Sequence, residues 1–205
     1  MAFMLLDLLG PVSGSYLVKA LPALIMSWLV WRSSTSVVTR VMALGFVCSA
    51  AGDVFLDLDR EAFFIHGLGS FLIAHLCYSF SFSKHFKFEL KKLWLFLVLL
   101  AGVIVLVFLM FPNLDESAVP VFAYITVIFA MATFAIFFNP TSFVLIIGAF
   151  LFVISDSLIA IDKFIAEFQW APLAIMITYF TAQFLIGKSW LDRFDPKSHH
   201  QLPQD

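Results

Sequence analysis

Seven apolar segments constrain the fold of this chain more than any other feature. They lie at 16–31, 38–58, 62–83, 93–111, 118–138, 142–161 and 168–188. A helix needs about 20 apolar residues to cross the hydrocarbon core of a bilayer. Backbone groups within lipid must be bonded internally, so segments of this kind become helices. The segments therefore predict an all-α fold, a polytopic bundle with seven transmembrane spans.

Composition supports a single membrane domain. The chain is 62% hydrophobic and 13% charged, whereas about a quarter of the residues in soluble domains are charged. We expect one transmembrane helical domain over 1–190 and a polar tail over 191–205. Met1–Leu9 is apolar but too short to span alone, and it fits either a short N-terminal helix or part of an eighth span. The net charge of −2 predicts no nucleic-acid partner.

The basic residues predict the orientation of the bundle. Two of them, Arg60 and Lys163, belong to the loops on one side. The opposite loops and the C-terminus hold Arg32, Arg40, Lys84, Lys87, Lys91, Lys92, Lys188, Arg193 and Lys197. Cytoplasmic loops carry the excess of Lys and Arg. We therefore expect a multi-pass protein of a bacterial inner membrane, with its C-terminus in the cytoplasm.

Two aspartates lie inside apolar segments in matching surroundings. Asp53 and Asp156 each follow a glycine by eight residues and precede another aspartate by six. The ungapped match of 45–60 to 148–163 suggests a parallel internal repeat; chance alignment of two apolar helices is the alternative. Both segments run in the same direction, which places the carboxylates at similar depth in the outer half. Acids within a membrane are costly and mark functional sites by default, although a buried structural hydrogen bond is the alternative.

Two further charged residues belong near this depth. Asp57 is one helical turn beyond Asp53 and shares its face, so it either joins the site or marks the helix end. Lys19 lies at the start of the first span, where it could pair with Asp53 or Asp156 and hold that carboxylate ionised. A lysine that extends to the membrane interface is the other interpretation.

Polar residues of the third and seventh segments are candidates for the same cavity. His75 and Tyr78 are three residues apart and share a helix face, which fits either a site or a packing pair. Tyr179 and Gln183 are four residues apart in the last segment. A zinc site built from three histidines would need more than His66 and His75 within the membrane. We therefore predict no metal and no cofactor.

Several of these residues lie in segments that resemble the YhhN family, the lysoplasmalogenases. The segments are Gly52-Asp53-x-x-Leu56, Phe64-x-x-Gly67-Leu68-x-x-Phe71-x-x-x-His75-x-x-Tyr78, Gly148-Ala149-x-Leu151-Phe152-x-x-Ser155-Asp156-x-Leu158-x-Ala160 and Tyr179-x-x-Ala182-Gln183-x-Leu185-Ile186. The early Lys-Pro of the family is replaced here by Lys19-Ala20-Leu21-Pro22.

The resemblance implies an integral membrane hydrolase. It would cleave the vinyl-ether bond of a lysoplasmalogen, a lysophospholipid of the bilayer, to a fatty aldehyde and glycerophosphoethanolamine or glycerophosphocholine. Asp53 and Asp156 would be the catalytic acids, with Ser155 and the polar residues above around them. Two carboxyl groups suit such chemistry, because one can donate a proton while the other stabilises a cation.

Two other functions remain open from the sequence. Matched half-repeats with intramembrane acids also occur in small ion-coupled transporters. A metal-dependent seven-helix lipid hydrolase is the other alternative, and it is disfavoured by the scarcity of well-placed histidines.

Overall fold

The computed structural model describes residues 15–59, 62–114 and 117–194, and these ranges form seven α-helices. The helices are α1 Ser15–Ser33, α2 Val37–Leu58, α3 Phe64–Ser83, α4 Leu93–Met110, α5 Ala118–Ile136, α6 Phe143–Phe164 and α7 Ala171–Phe194. The all-α prediction is confirmed, and each predicted span corresponds to one helix. The predicted N-terminal segment Met1–Leu9, Arg60 and the end of the tail, 195–205, lie outside the described residues.

Six of the described helices, α2 to α7, are long and apolar enough to cross a membrane. The 19-residue helix α1, which contains Lys19 and Pro22, is not among them. Helix α6 continues to Phe164, three residues beyond its predicted end. Asp156 is therefore eight residues from the end of its helix, whereas Asp53 is five residues from the end of α2.

An aspartate near the end of α2 and one near the end of α6 each bond the loop that follows. Asp59 follows α2, and its Oδ1 accepts the backbone N–H of Ala62 at 2.9 Å. Asp162, at the matching position of α6, accepts the backbone N–H of Phe168 at 3.3 Å. Backbone N–H groups of loops need such partners. These two aspartates therefore help to order the loops that lead into α3 and α7.

Small residues allow α2 and α6 to pack closely against the helix that follows each of them. A Cβ atom on Gly45 would lie 2.5 Å from the ring of Tyr78 in α3. A Cβ atom on Gly148 would lie 3.0 Å from Ile186 in α7. Small residues permit this close approach between membrane helices. Gly45 and Gly148 are matched in the proposed repeat, so the packing of the two halves fits that proposal.

Candidate active site

Asp156 is held by side chains from two other helices. The hydroxyl of Tyr124 in α5 donates to Asp156 Oδ2 at 2.5 Å. His75 Nε2 in α3 lies 3.3 Å from the same oxygen and 3.1 Å from the Tyr124 hydroxyl. The imidazole is fully buried, and its Nδ1 has no hydrogen-bond partner among the described residues. A proton on Nε2 therefore suits this ring, because a buried N–H at Nδ1 would be left unsatisfied.

Asp53 is held by a chain of donors from α7. The hydroxyl of Tyr179 donates to Asp53 Oδ2 at 2.9 Å, and Gln183 Nε2 donates to that hydroxyl. Tyr179 and Gln183 are both buried. Buried polar groups that are mutually bonded hold one another in place. This chain therefore fixes the Asp53 carboxyl in one orientation.

Asp53 and Asp156 each have a contact from the helix that follows the other aspartate's helix. Asp53 in α2 is bonded from α7, and Asp156 in α6 is contacted from α3. Asp156 follows Asp53 by 103 residues, and subtracting 103 from 179 gives residue 76, beside His75.

Lys19 and Asp57 form an ion pair beside the two aspartates. Lys19 Nζ lies 2.5 Å from Asp57 Oδ1, and the side chains are 18% and 9% exposed. Lys19 was predicted either to pair with Asp53 or Asp156 or to extend to the interface; in the structure it pairs with the carboxylate one turn beyond Asp53. Asp57 consequently does more than mark the helix end, because it also lines the cavity next to Asp53.

The polar side chains meet in a cavity of about 160 Å³ between α1, α2, α3, α6 and α7, which we call the polar cavity. Its polar lining consists of Lys19, Asp53, Asp57, Ser155, Asp156 and Tyr179. Helices α1, α2, α6 and α7 each contribute at least one of these residues. The structure thus brings Asp53 and Asp156 to one cavity, as the matched sequence frames predict.

A second cavity, of about 60 Å³, lies on the other side of Asp156, and we call it the apolar cavity. Its lining comes mainly from α3, α4, α5 and α6. Leu56, Phe71, Asp156 and Ile159 line both cavities, whereas Asp53 lines only the polar one. Asp156 therefore stands at the boundary between a polar and an apolar compartment.

Two predicted site residues have hydroxyl groups that bond neighbouring helices, not Asp53 or Asp156. Tyr78 is fully buried, and its hydroxyl lies 3.1 Å from Ser49 Oγ. Its ring packs edge to face with Phe46 and lines neither cavity. Ser155 lines the polar cavity, but its hydroxyl donates to the carbonyl of Ile175 at 3.3 Å. These hydrogen bonds connect α3 to α2 and α6 to α7, and so hold the helices that carry the two aspartates.

Tyr124 is the site residue that sequence reasoning missed. It lies in α5, which contributes none of the predicted motif residues and has no acidic or basic side chain. The sequence offers one sign of its importance, which is that it is the single tyrosine of a strongly apolar helix. Buried tyrosine hydroxyls usually find a partner, but the sequence does not reveal which one.

No three His, Cys, Asp or Glu side chains within the described ranges converge as they would around a metal ion. The chemistry that the arrangement offers is that of two carboxyl groups, each held by buried hydroxyl, amide or imidazole groups.

Comparisons with known proteins give one consistent result. The YhhN family model matches residues 14–190, which confirms the resemblance seen in the motifs. Lysoplasmalogenase TMEM86B from Homo sapiens is 34% identical over 183 residues, which cover 89% of this chain and 77% of the relative. Lysoplasmalogenase TMEM86A from Bos taurus is 30% identical over 177 residues, 80% of this chain and 70% of the relative. The Escherichia coli O157:H7 membrane protein YhhN is 27% identical over 187 residues, covering 88% of each. No solved structure matches the chain.

Proposed function

Because this chain belongs to the YhhN family, we propose that it hydrolyses the vinyl-ether bond of lysoplasmalogens. The products are a fatty aldehyde and glycerophosphoethanolamine or glycerophosphocholine. The names of its mammalian relatives, both lysoplasmalogenases, support the substrate class. The observation that carries the proposal is the position of Asp156 at the boundary of the two cavities, with Asp53 lining the polar one.

The reaction needs a proton on carbon. A vinyl ether, R–CH=CH–O–R′, takes a proton at the carbon that bears the chain R and becomes an oxocarbenium ion. Water adds to the carbon next to oxygen and loses a proton, which gives a hemiacetal. The hemiacetal then breaks its C–O bond to R′, releasing the aldehyde R–CH2–CHO and the alcohol HO–R′. The reaction consumes one water. The water loses a proton in exchange for the one that the acid donated, so there is no net change in protons.

We assign Asp156 as the acid. The carbon that accepts the proton carries the hydrocarbon chain, while the ether oxygen points toward the head group. An acid that serves this carbon must face an apolar compartment on one side and a polar one on the other. Asp156 lines both cavities, whereas Asp53 lines the polar one alone. General acids act through such direct reach to the atom that takes the proton.

Tyr124 and His75 make Asp156 an effective acid in this scheme. When the proton leaves, a carboxylate remains, and Oδ2 already faces the Tyr124 hydroxyl and His75 Nε2. Hydrogen bonds to a charged oxygen are roughly twice as strong as those between neutral groups. The two donors therefore stabilise the state that forms as the proton is transferred.

Asp53 serves as the ionised partner. Its carboxylate faces the polar cavity, where the carbon next to the ether oxygen becomes positive and where water is available. A fixed negative charge at this place stabilises the cation, and it can accept the proton that the attacking water loses. The donors Tyr179 and Gln183 hold the carboxylate in position for both steps.

The ion pair of Lys19 and Asp57 is placed to meet the head group. It lines the polar cavity beyond Asp53, toward the end of the bundle where α2 ends. Lys19 offers an ammonium to the phosphate of the lipid, and Asp57 offers a carboxylate to its amine. This order of groups matches a lysolipid whose vinyl ether lies just below its head group. It also fits the orientation we propose, with the acids in the outer half of a bacterial inner membrane and a cytoplasmic C-terminus.

Two substitutions test the assignment. Asp156→Asn and Asp53→Asn should each lower aldehyde release from lysoplasmenylethanolamine by about 100-fold or more, the usual contribution of a general acid or base. Aldehyde is measured by mass spectrometry with the protein purified in detergent. Asp162→Asn is the matched control, because this aspartate of α6 bonds a loop N–H. Turnover close to that of the wild type in both site variants would end the proposal.

A further inference from the structure

The apolar cavity beside Asp156 extends well beyond the carboxyl group itself. Its lining is almost wholly hydrocarbon, and its polar members are Tyr124, Asp156 and Ser157. All three are already paired, since Tyr124 bonds Asp156 and the Ser157 hydroxyl donates to the carbonyl of Val153 at 2.7 Å. A space without free polar partners does not hold ordered water well. Its natural occupant is an apolar group.

We propose that the apolar cavity receives the first carbons of the alkenyl chain of the substrate and that Val103 of α4 contributes to the limit on its length. This inference rests on the proposed function, because the chain is the part of a lysoplasmalogen that begins where Asp156 would deliver its proton. The cavity adjoins the polar cavity, and Leu56, Phe71 and Ile159 line both.

The direction of the cavity fits a lipid chain. A chain runs from the head group toward the middle of the bilayer. The cavity runs along the helices, from Phe64, Met110 and Phe164 at the helix ends to Val153, Ile128 and Val103. Val153 precedes Asp156 by three residues, and Ile128 follows Tyr124 by four, so each lies about one turn deeper than the site. Val103 is the deepest of the α4 side chains that line the cavity.

Helix α4 supplies the wall between this cavity and the surroundings of the bundle. Val103, Leu106 and Met110 line the cavity from one face of α4. The side chain of Val105, on another face, is 57% exposed. Two valines two residues apart on one helix therefore face the cavity and the lipid, respectively. They provide a matched pair for an experiment.

The test compares Val103→Phe with Val105→Phe. Both add the same volume to α4, but only the first adds it to the cavity. Substrates are lysoplasmenylethanolamines with hexadecenyl and hexenyl chains. We expect Val103→Phe to lower the ratio of long-chain to short-chain kcat/KM by about tenfold, comparable to losing the burial of two methylene groups. Val105→Phe should keep the wild-type ratio. Equal ratios in the two variants and the wild type would overturn the chain site.

A binding measurement separates this inference from the proposed function. Lysolipids with a saturated 1-O-alkyl chain lack the vinyl ether and cannot be cleaved by this route. Their affinity for the wild type, measured by displacement of a fluorescent lysolipid, should rise with chain length, and Val103→Phe should reduce that rise. If the wild type cleaves no lysoplasmalogen but shows this pattern, the proposed function fails and the chain site stands. If affinity does not depend on chain length, or Val105→Phe reduces the dependence as strongly as Val103→Phe, the chain site is wrong.

Discussion

Replacing Tyr124 by Phe tests the role of the residue that contacts Asp156 most closely. The substitution removes one hydroxyl and retains the ring. The lost group donates to Asp156 Oδ2 at 2.5 Å and lies 3.1 Å from His75 Nε2. Without it, the carboxylate that forms on proton transfer keeps only the imidazole as a donor at that oxygen. The substitution removes no contact with the substrate, because the hydroxyl bonds Asp156.

The expected effect falls on kcat. A hydrogen bond to a charged group contributes about 1.5–3 kcal/mol. Each 1.36 kcal/mol of transition-state stabilisation corresponds to a factor of ten in rate, so kcat should fall about 10- to 150-fold. KM should change little, since an interaction formed chiefly in the transition state does not alter substrate binding.

Steady-state release of aldehyde from lysoplasmenylethanolamine measures both constants. Tyr78→Phe is the matched control: it also removes a buried hydroxyl, but one that is 3.1 Å from Ser49 Oγ. Thermal unfolding of both variants checks that the fold is retained. The reasoning is refuted if Tyr124→Phe keeps the wild-type kcat, or if Tyr78→Phe loses as much. A rise in KM with unchanged kcat would also contradict it.

Two further predictions concern stability. In Gly52→Ala the new Cβ would lie 2.6 Å from the ring of Phe71, whereas Gly69 has no heavy atom within 4 Å of such a Cβ. Thermal unfolding should therefore show a loss of about 1–3 kcal/mol for Gly52→Ala and no loss for Gly69→Ala; equal stabilities would contradict the close packing of α2 on α3. His85 Nδ1 accepts from Arg193 Nη2 at 2.9 Å, and burial together with this guanidinium lowers the pKa of His85 below its usual 6.5. The unfolded chain then binds the proton more readily, so stability should fall as the pH drops through about 6.5. His85→Gln should flatten this dependence of the melting temperature, and an unchanged dependence would exclude His85 as its source.

The helices and the pairing of two aspartates were accessible from the sequence. An apolar segment of membrane length has essentially one secondary structure open to it, because lipid offers no partner to the backbone. Matched positions in two segments that run the same way place Asp53 and Asp156 at comparable depth. The end of α6 was less accessible, since Asp162 to Phe164 continue the helix beyond the apolar run.

The partners of the aspartates were not accessible in the same way. Lys19 was predicted to pair with Asp53 or Asp156, but in the structure it pairs with Asp57, which is one turn from Asp53 on the same face. Helical periodicity alone does not separate two carboxylates on one face. Tyr124 lies outside every motif found in the sequence. Its contact with Asp156 depends on how α5 packs against α6.

The sequence by itself determined that this chain forms a helical membrane bundle with two acids at matching positions of two helices, and it pointed to the family. These properties follow from local apolarity, period and spacing. Only the tertiary structure decided which donors hold each acid and that Asp156 lies between a polar cavity and an apolar one. The physical reason is that such contacts depend on the rotation and approach of separate helices, which are set by packing across the whole bundle.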